Sequence, residues 1–198
     1  MTLIDQLHAN PLVQLKHWFD EAVAKKLPEA NAMALATATS EGRPSLRIVL
    51  CKSIDEDAIL FFTNYNSRKG QELIQNPWAA LAFHWPELGR QIRLEGHVER
   101  ASRQASESYF HSRPRGSQIG AWASEQSKRI ENYSDLTKRY ADLEAEFAGK
   151  DVPCPSHWGG FRLIPDICEF WLSMPSRLHD RIIYRPVVNG WAKEQVSP

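Results

Sequence analysis

From Leu12 onward, apolar residues recur at helical spacing: Leu12, Leu15, Phe19, Ala22 and Val23, with Lys16, Asp20 and Glu21 between them. Asn10 before Pro11 gives an N-cap followed by proline at the first helical position, and Leu27-Pro28 ends the run, so the pattern predicts an amphipathic helix. The period then shortens. Ala32–Thr39, Ser45–Lys52 and Ile59–Thr63 are short strand-like runs, separated by Ser40-Glu41-Gly42-Arg43-Pro44 and Asp55-Glu56-Asp57. Ser67 caps a short predicted helix that Asn76-Pro77 ends. Trp78–Trp85 and Gln91–Arg100 read as two further strands joined by Pro86-Glu87-Leu88-Gly89. In the second, Ile92, Leu94, Gly96 and Val98 alternate with Arg93, Glu95, His97 and Glu99.

Residues 102–148 read as helical with breaks at Pro114 and Gly116, ending in a charged, exposed helix over Ser134–Ala148. After a loop over Gly149–Pro155, closing strands are expected at Cys168–Leu172, Arg181–Tyr184 and Trp191–Val196. Helix, five strands, helices, then more strands imply an α+β domain built on an antiparallel barrel. There is no internal repeat.

Composition narrows the chemistry. The 198 residues suit a single domain, and the formal net charge of zero supplies no global field for nucleic acid. The three cysteines, Cys51, Cys154 and Cys168, form no Cys-x-x-Cys, so small buried thiols are expected rather than disulfides or a zinc site. No stretch approaches the ~20 apolar residues of a membrane helix. Met1–Asn10 carries Asp5 and His8 and lacks the apolar core of a signal peptide. A cytoplasmic protein is therefore expected. His-x-x-x-His, Gly-x-Ser-x-Gly and Gly-x-Gly-x-x-Gly are all missing, which argues against a zincin, a serine hydrolase and a dinucleotide fold.

What remains are separated anion-binding candidates. Arg47 and Lys52 bound one strand-like run; five positions apart on a strand they should point to opposite faces, one of them core. Arg68 and Lys69 sit in the first turn of the helix that Ser67 caps, where backbone N–H groups favour phosphate. Tyr109-Phe110-His111-Ser112-Arg113-Pro114-Arg115-Gly116-Ser117-Gln118 reads as a compact cationic loop between helices, fit for one phosphate. Glu169-Phe170-Trp171 and Arg177-Leu178-His179-Asp180-Arg181 form the last cluster. Several separate sites hint at two phosphorylated small molecules without identifying them.

In these segments the sequence resembles the pyridoxine/pyridoxamine 5′-phosphate oxidase family. The resemblance runs from about Pro11 to Pro198 and rests on Arg47–Lys52, Phe62-Thr63-Asn64, Ser67-Arg68-Lys69, Gln91, Tyr109–Trp122, Ser124-Glu125-Gln126-Ser127, Trp158-Gly159-Gly160-Phe161, Glu169-Phe170-Trp171 and Arg177–Arg181 in the family's order. It implies one FMN-binding split β-barrel domain over 1–198, antiparallel with six or more strands and flanking helices. Residues 1–10 would be a short N-terminal arm and 167–198 a dimerisation and active-site segment. It implies a homodimer with FMN at the interface. The reaction would be oxidation of pyridoxamine and pyridoxine 5′-phosphates by O2 to pyridoxal 5′-phosphate, with H2O2, and ammonia from the amine.

By the same resemblance, Arg47, Arg68, Lys69, Gln126 and Ser127 would hold the FMN phosphate and ribityl chain. Ile48, Val49, Leu50, Lys52, Phe62 and Thr63 would also line the cofactor, and Gln91, Trp171 and Arg181 would contact the flavin. Lys52, Tyr109, Arg113 and Ser117 would bind the substrate phosphate, with Arg177 and His179 as the catalytic pair over the pyridine ring. The chain departs from the family at three places. Met1–Asn10 lacks the family's Arg-x-x-Tyr, Leu172-Ser173 stands where Gln-Gly is usual, and Gln195-Val196-Ser197-Pro198 replaces Arg-Leu-x-Pro. The alternatives are a phenazine-type flavoenzyme on the same fold and a non-catalytic binder of FMN or pyridoxal phosphate.

Overall fold

The computed structural model describes residues 3–198; the first two residues of the expected N-terminal arm, Met1 and Thr2, lie outside the described residues. A short helix α1 (Leu3–Gln6) precedes α2 (Pro11–Ala24). Asn10 caps α2 as the sequence predicts, its Oδ1 accepting from the backbone N–H of Leu12 at 2.8 Å and of Val13 at 3.4 Å. The helix buries Leu12, Leu15, Trp18 and Ala22, whereas Val23, expected on the apolar stripe, is exposed. The edge of Trp18 meets Phe170 with ring centroids 5.2 Å apart, which seats α2 on the sheet.

The sheet contains β1 (Ala32–Ala38), β2 (Pro44–Leu50), β3 (Ser53–Ile54), β4 (Ile59–Asn64), β5 (Trp78–Trp85), β6 (Arg90–Arg100), β7 (Trp158–Leu172), β8 (Asp180–Val187) and β9 (Gly190–Val196). All its pairings are antiparallel, and it runs β2-β1-β5-β6-β7-β4-β3, with β8 and β9 branching from β7. Curled into a half-barrel, it bears out the α+β antiparallel expectation. Helices α3 (Arg68–Gln75), α4 (Arg103–Ser112), α5 (Arg115–Ala123) and α6 (Tyr133–Glu146) complete the chain.

The expected strand Cys168–Leu172 is only the end of β7, which begins ten residues earlier at Trp158. Its first half pairs with β4 and its second with β8, while β6 runs beside both, so β7 is where the barrel splits. Pro165 interrupts the sequence pattern there because proline cannot donate to a ladder. The structure accommodates it at a bulge, where the β6 register slips between Glu95 and Gly96. Gly96 permits that approach: a Cβ would lie 2.1 Å from the carbonyl oxygen of Ile164.

Phe61, Phe83, Phe170, Tyr184, Met33 and Leu35 fill the main core, and Phe110, Ile119, Val152 and Trp158 form a smaller one under α4 and α5. The three cysteines are buried and free, as expected. The N-terminal segment is tied to the C-terminal hairpin: Lys193 Nζ donates to the carbonyls of Ile4 (2.7 Å) and Leu7 (3.0 Å), and Tyr184 donates to that of His8 (2.7 Å). Among the described residues, no helix is long and apolar enough to cross a membrane.

Candidate active site

A cleft of about 940 Å³ opens between β2, β4, the start of α3 and the α4–α5 junction. One end is built around α3. The Ser67 hydroxyl accepts from Gly70 N–H at 3.3 Å, so the cap read from the sequence places Arg68 and Lys69 in the first turn. Lys69 is buried, and its Nζ donates to Thr63 Oγ1 (3.1 Å), Gln126 Oε1 (3.2 Å) and Ser67 Oγ (3.4 Å), none of them a carboxylate. Burial, and then the charge of Arg47, pull its pKa down to about 8. Arg47 reaches the same end from β2, donating to Thr37 Oγ1 at 2.6 Å and to the Leu35 carbonyl at 3.2 Å. Behind these cations lies Glu72, buried on α3 and paired with Arg68 at 2.8 Å.

Arg47 and Lys52 do not sit on opposite faces of one strand, as expected. β2 stops at Leu50, Lys52 lies in the link to β3, and both line the cleft. One face of β2 does turn inward, with Ser45, Arg47 and Val49 half-buried and Val49 against the main core, but Leu46, Ile48 and Leu50 on the other face are 68%, 64% and 41% exposed. The alternation is real, but the apolar side of β2 faces outward, a patch that suggests contact with another surface.

The other end is an aromatic wall. Phe62 stacks on Tyr109 with centroids 4.1 Å apart and on Trp158 at 5.6 Å. Gly160 leaves room for that stack, since a Cβ there would lie 2.8 Å from the Phe62 ring. Arg113 lies over Trp158 at 4.7 Å, and Lys52 Nζ is 5.7 Å from the Tyr109 centroid. Arg113 Nη1 is buried with no hydrogen-bond partner, and burial lowers the pKa of its guanidinium. An orphaned guanidinium N–H in a cleft wall fits an absent anion.

The segment 109–118 is not the compact loop that the sequence suggested. α4 runs to Ser112 and α5 starts at Arg115, with Gly116 inside it rather than breaking it. Tyr109, Arg113 and Ser117 recur every four residues and line the cleft; His111 and Arg115 line a separate depression. Arg115 donates to the carbonyls of Lys150 (2.9 Å) and Phe147 (2.5 Å), which leaves it a structural tie.

Of the residues singled out from sequence, the cleft collects Arg47, Ile48, Val49, Leu50, Lys52, Phe62, Thr63, Arg68, Lys69, Tyr109, Arg113, Ser117, Gln126 and Ser127. Gln91, Trp171, Arg177, His179 and Arg181 do not line it and form a second group. Gln91, Trp171 and Arg181 are register neighbours across β6, β7 and β8. Arg181 is held by buried Glu169 through two contacts, at 2.9 and 3.0 Å. The His179 ring lies 4.5 Å from that of Trp171, and its Nδ1 accepts from Met174 N–H at 3.2 Å. Ser176 and Arg177 both adopt positive φ, 58° and 61°, a strained turn that presents an exposed Arg177. Sequence reasoning gave no role to Trp158 or Glu72. Trp158 stood in a quoted segment; Glu72 offered only its i,i+4 spacing from Arg68, since the fold alone brings Thr37, Ser45 and Arg47 to it.

Two family models match the chain: "Pyridoxamine 5′-phosphate oxidase" over residues 19–144 and "Pyridoxine 5′-phosphate oxidase C-terminal dimerisation region" over 158–198. Among curated proteins, the pyridoxine/pyridoxamine 5′-phosphate oxidase of Paraburkholderia phymatum is 54% identical over 98% of this chain and 92% of its own length. That of Cupriavidus pinatubonensis is 53% identical over 96% and 89%. Among solved structures, PhzG from Burkholderia lata 383 in complex with tetrahydrophenazine-1-carboxylic acid superposes with a TM-score of 0.93 at 34% identity, covering 98% of this chain and 95% of that one. A pyridoxamine 5′-phosphate oxidase-related, FMN-binding protein from Nostoc punctiforme shares the fold, with a TM-score of 0.70 at 19% identity, covering 88% and 91%.

Proposed function

Because this chain belongs to the pyridoxine/pyridoxamine 5′-phosphate oxidase family, we propose that it is an FMN-dependent oxidase making pyridoxal 5′-phosphate. The amine substrate, with O2 and water, gives the aldehyde, ammonia and H2O2; the alcohol with O2 gives the aldehyde and H2O2. The observation that carries the reading is a single cleft bearing two cationic groups on different elements: Arg47, Arg68 and Lys69 in one, Lys52 and Arg113 in the other. Two phosphorylated molecules, cofactor and substrate, match two such groups.

When bound, FMN supplies the two-electron acceptor and the route to dioxygen. The chain's own residues bind and orient. Arg47, Arg68 and Lys69 hold the FMN phosphate, and Gln126 and Ser127 its ribityl chain. Ile48, Val49, Leu50, Phe62 and Thr63 line the cofactor, and Lys52 serves both ligands. Lys52, Tyr109, Arg113 and Ser117 hold the substrate phosphate; the free Nη1 of Arg113 supplies an unused donor. Gln91, Trp171 and Arg181 contact the flavin. Arg177 and His179 cover the substrate ring. With Nδ1 accepting from Met174 N–H, Nε2 is the ring nitrogen left for a ligand.

The second group lies outside its own chain's cleft. A homodimer that seats FMN between subunits would bring one chain's Arg177 and His179 to the partner's cleft. Support comes from the matched dimerisation region and the exposed apolar face of β2. The unpaired cysteines suit a cytoplasmic location.

The likeness to PhzG favours one second reading, oxidation of a tetrahydrophenazine carboxylate. A single experiment separates the two. Pyridoxamine 5′-phosphate added anaerobically to the FMN-loaded protein should bleach the flavin absorbance, and pyridoxal 5′-phosphate should appear on chromatography. A flavin reduced by tetrahydrophenazine carboxylate but by neither B6 phosphate would overturn the reading.

A further inference from the structure

We propose that Glu72 is a positioning residue: a buried carboxylate that sets Arg47 and Arg68 as a phosphate-binding fork without itself lining the cleft. The proposal rests on the reading that this end of the cleft receives the FMN phosphate. Glu72 is 4% exposed on the inward side of α3, whereas Ser45, Arg47 and Arg68 all line the cleft. Four donors converge on it from three elements. Oε1 accepts from Arg68 Nε at 2.8 Å; Oε2 accepts from the Ser45 hydroxyl at 2.5 Å, from the Thr37 hydroxyl and from Arg47 Nη2 at 3.5 Å. Thr37 and Ser45 in turn accept from Arg47. One carboxylate thus fixes the guanidinium of Arg47 directly and through two hydroxyls.

The arrangement leaves work for a ligand. Arg68 spends its Nε on Glu72, which leaves its terminal nitrogens for the cleft. Arg47 repels both Arg68 and Lys69, and one buried anion behind them lets three cations share the site. The cluster then carries an excess of about two positive charges, close to that needed by a phosphate monoester near −2. Burial alone would raise the Glu72 carboxyl, but Ser45, Thr37 and Arg68 overcome it and hold the pKa at about 2, so the carboxylate is charged near neutral pH.

Positioning and simple charge compensation predict opposite results. If Glu72 only offset charge, removing it would tighten a dianion. If it sets the fork, removing it loosens the phosphate and leaves the ring system alone. The test is binding of FMN and of riboflavin, which lacks the phosphate, to flavin-stripped full-length protein, read by quenching of flavin fluorescence. Glu72→Gln should raise the Kd for FMN by about tenfold or more and leave riboflavin within about twofold, the loss of a charge-assisted contact. Unchanged or tighter FMN binding overturns the proposal, and so does equal weakening of both ligands, the mark of a merely structural residue. Should Glu72→Gln not fold, Glu72→Asp keeps the charge and shortens the reach; the same selective loss is expected, and wild-type FMN preference overturns the proposal. A wild-type protein that binds riboflavin as tightly as FMN overturns the phosphate-end reading and this proposal together. Preference in the wild type that survives in the variant overturns this proposal alone.

Discussion

At the scale of single residues, Lys69 carries the sharpest consequence. Its partners are neutral oxygens, and its pKa falls to about 8, so in the ligand-free protein it loses its proton as pH rises through that value. A phosphate monoester is dianionic above about pH 6 and favours the charged amine, so FMN binding takes up a proton once the free Lys69 is neutral. The sign follows: FMN affinity should be flat from about pH 6.5 to 7.5 and fall above pH 8, by up to about tenfold per unit. Titrations across that range check it, and Lys69→Met should bind more weakly and lose the break near pH 8. An unaltered break in Lys69→Met would assign the titration to another group. Residue identity was legible here because Ser67-Arg68-Lys69 is a local pattern, cap then first turn. Arg47 and Lys52 were misread because pleat geometry was extended past Leu50, where the strand ends. Glu72 was illegible, as its meaning lies in Thr37 and Ser45, 35 and 27 positions away.

At the scale of elements, the strands whose apolar residues alternate were readable, and β6 kept the face predicted for it, with Ile92, Leu94, Gly96 and Val98 buried. β7 was not, because Pro165 looks like a terminator while the bulge opposite Gly96 makes it harmless. That account has a cost attached to one atom. Gly96→Ala would put a Cβ 2.1 Å from the Ile164 carbonyl oxygen and 2.7 Å from Pro165 Cα, both backbone, so the strands must part. Stability should drop by about 2–3 kcal/mol, seen as a lower urea midpoint at unchanged slope. Gly120→Ala is the control: it sits in α5 with nothing within 4 Å of the new carbon, and should be neutral or stabilising by up to about 1 kcal/mol. Equal midpoints for the two variants would remove the close-approach explanation of the bulge. The cationic segment 109–118 was half legible: the residue types were right, but the junction of α4 and α5 at Arg113-Pro114 decides which ones share a wall. Tyr109, Arg113 and Ser117 fall on one side, His111 and Arg115 on the other.

At the scale of the whole molecule, composition and spacing carried no hint that the proposed site is divided; only the family resemblance, with FMN at a dimer interface, implied it. Arg47 to Ser127, with Trp158, supply the cleft, whereas Trp171 to Arg181, on β7, β8 and the turn between them, do not line it. A single chain therefore holds both halves of the proposed machinery and does not close them on each other. The exposed apolar edge formed by Leu46, Ile48 and Leu50 borders the cleft, so a partner seated there would reach its mouth. If each proposed site takes its cleft from one subunit and its Arg177 from the other, two defective variants can repair one another. Arg113→Ala and Arg177→Ala should each be nearly inactive as homodimers. In a hybrid dimer, one site collects both substitutions and the other collects neither, so purified hybrids should show about half the activity of the wild-type dimer. Co-expression with two affinity tags isolates the hybrid, and turnover of pyridoxamine 5′-phosphate measures it. Hybrids no more active than their parents would place Arg177 in service of its own chain's cleft, and the loop from Ser173 to His179 would then have to swing inward rather than across. Arg177 and His179 are both missing from the lining of their own chain's cleft, and that favours the crossing arrangement.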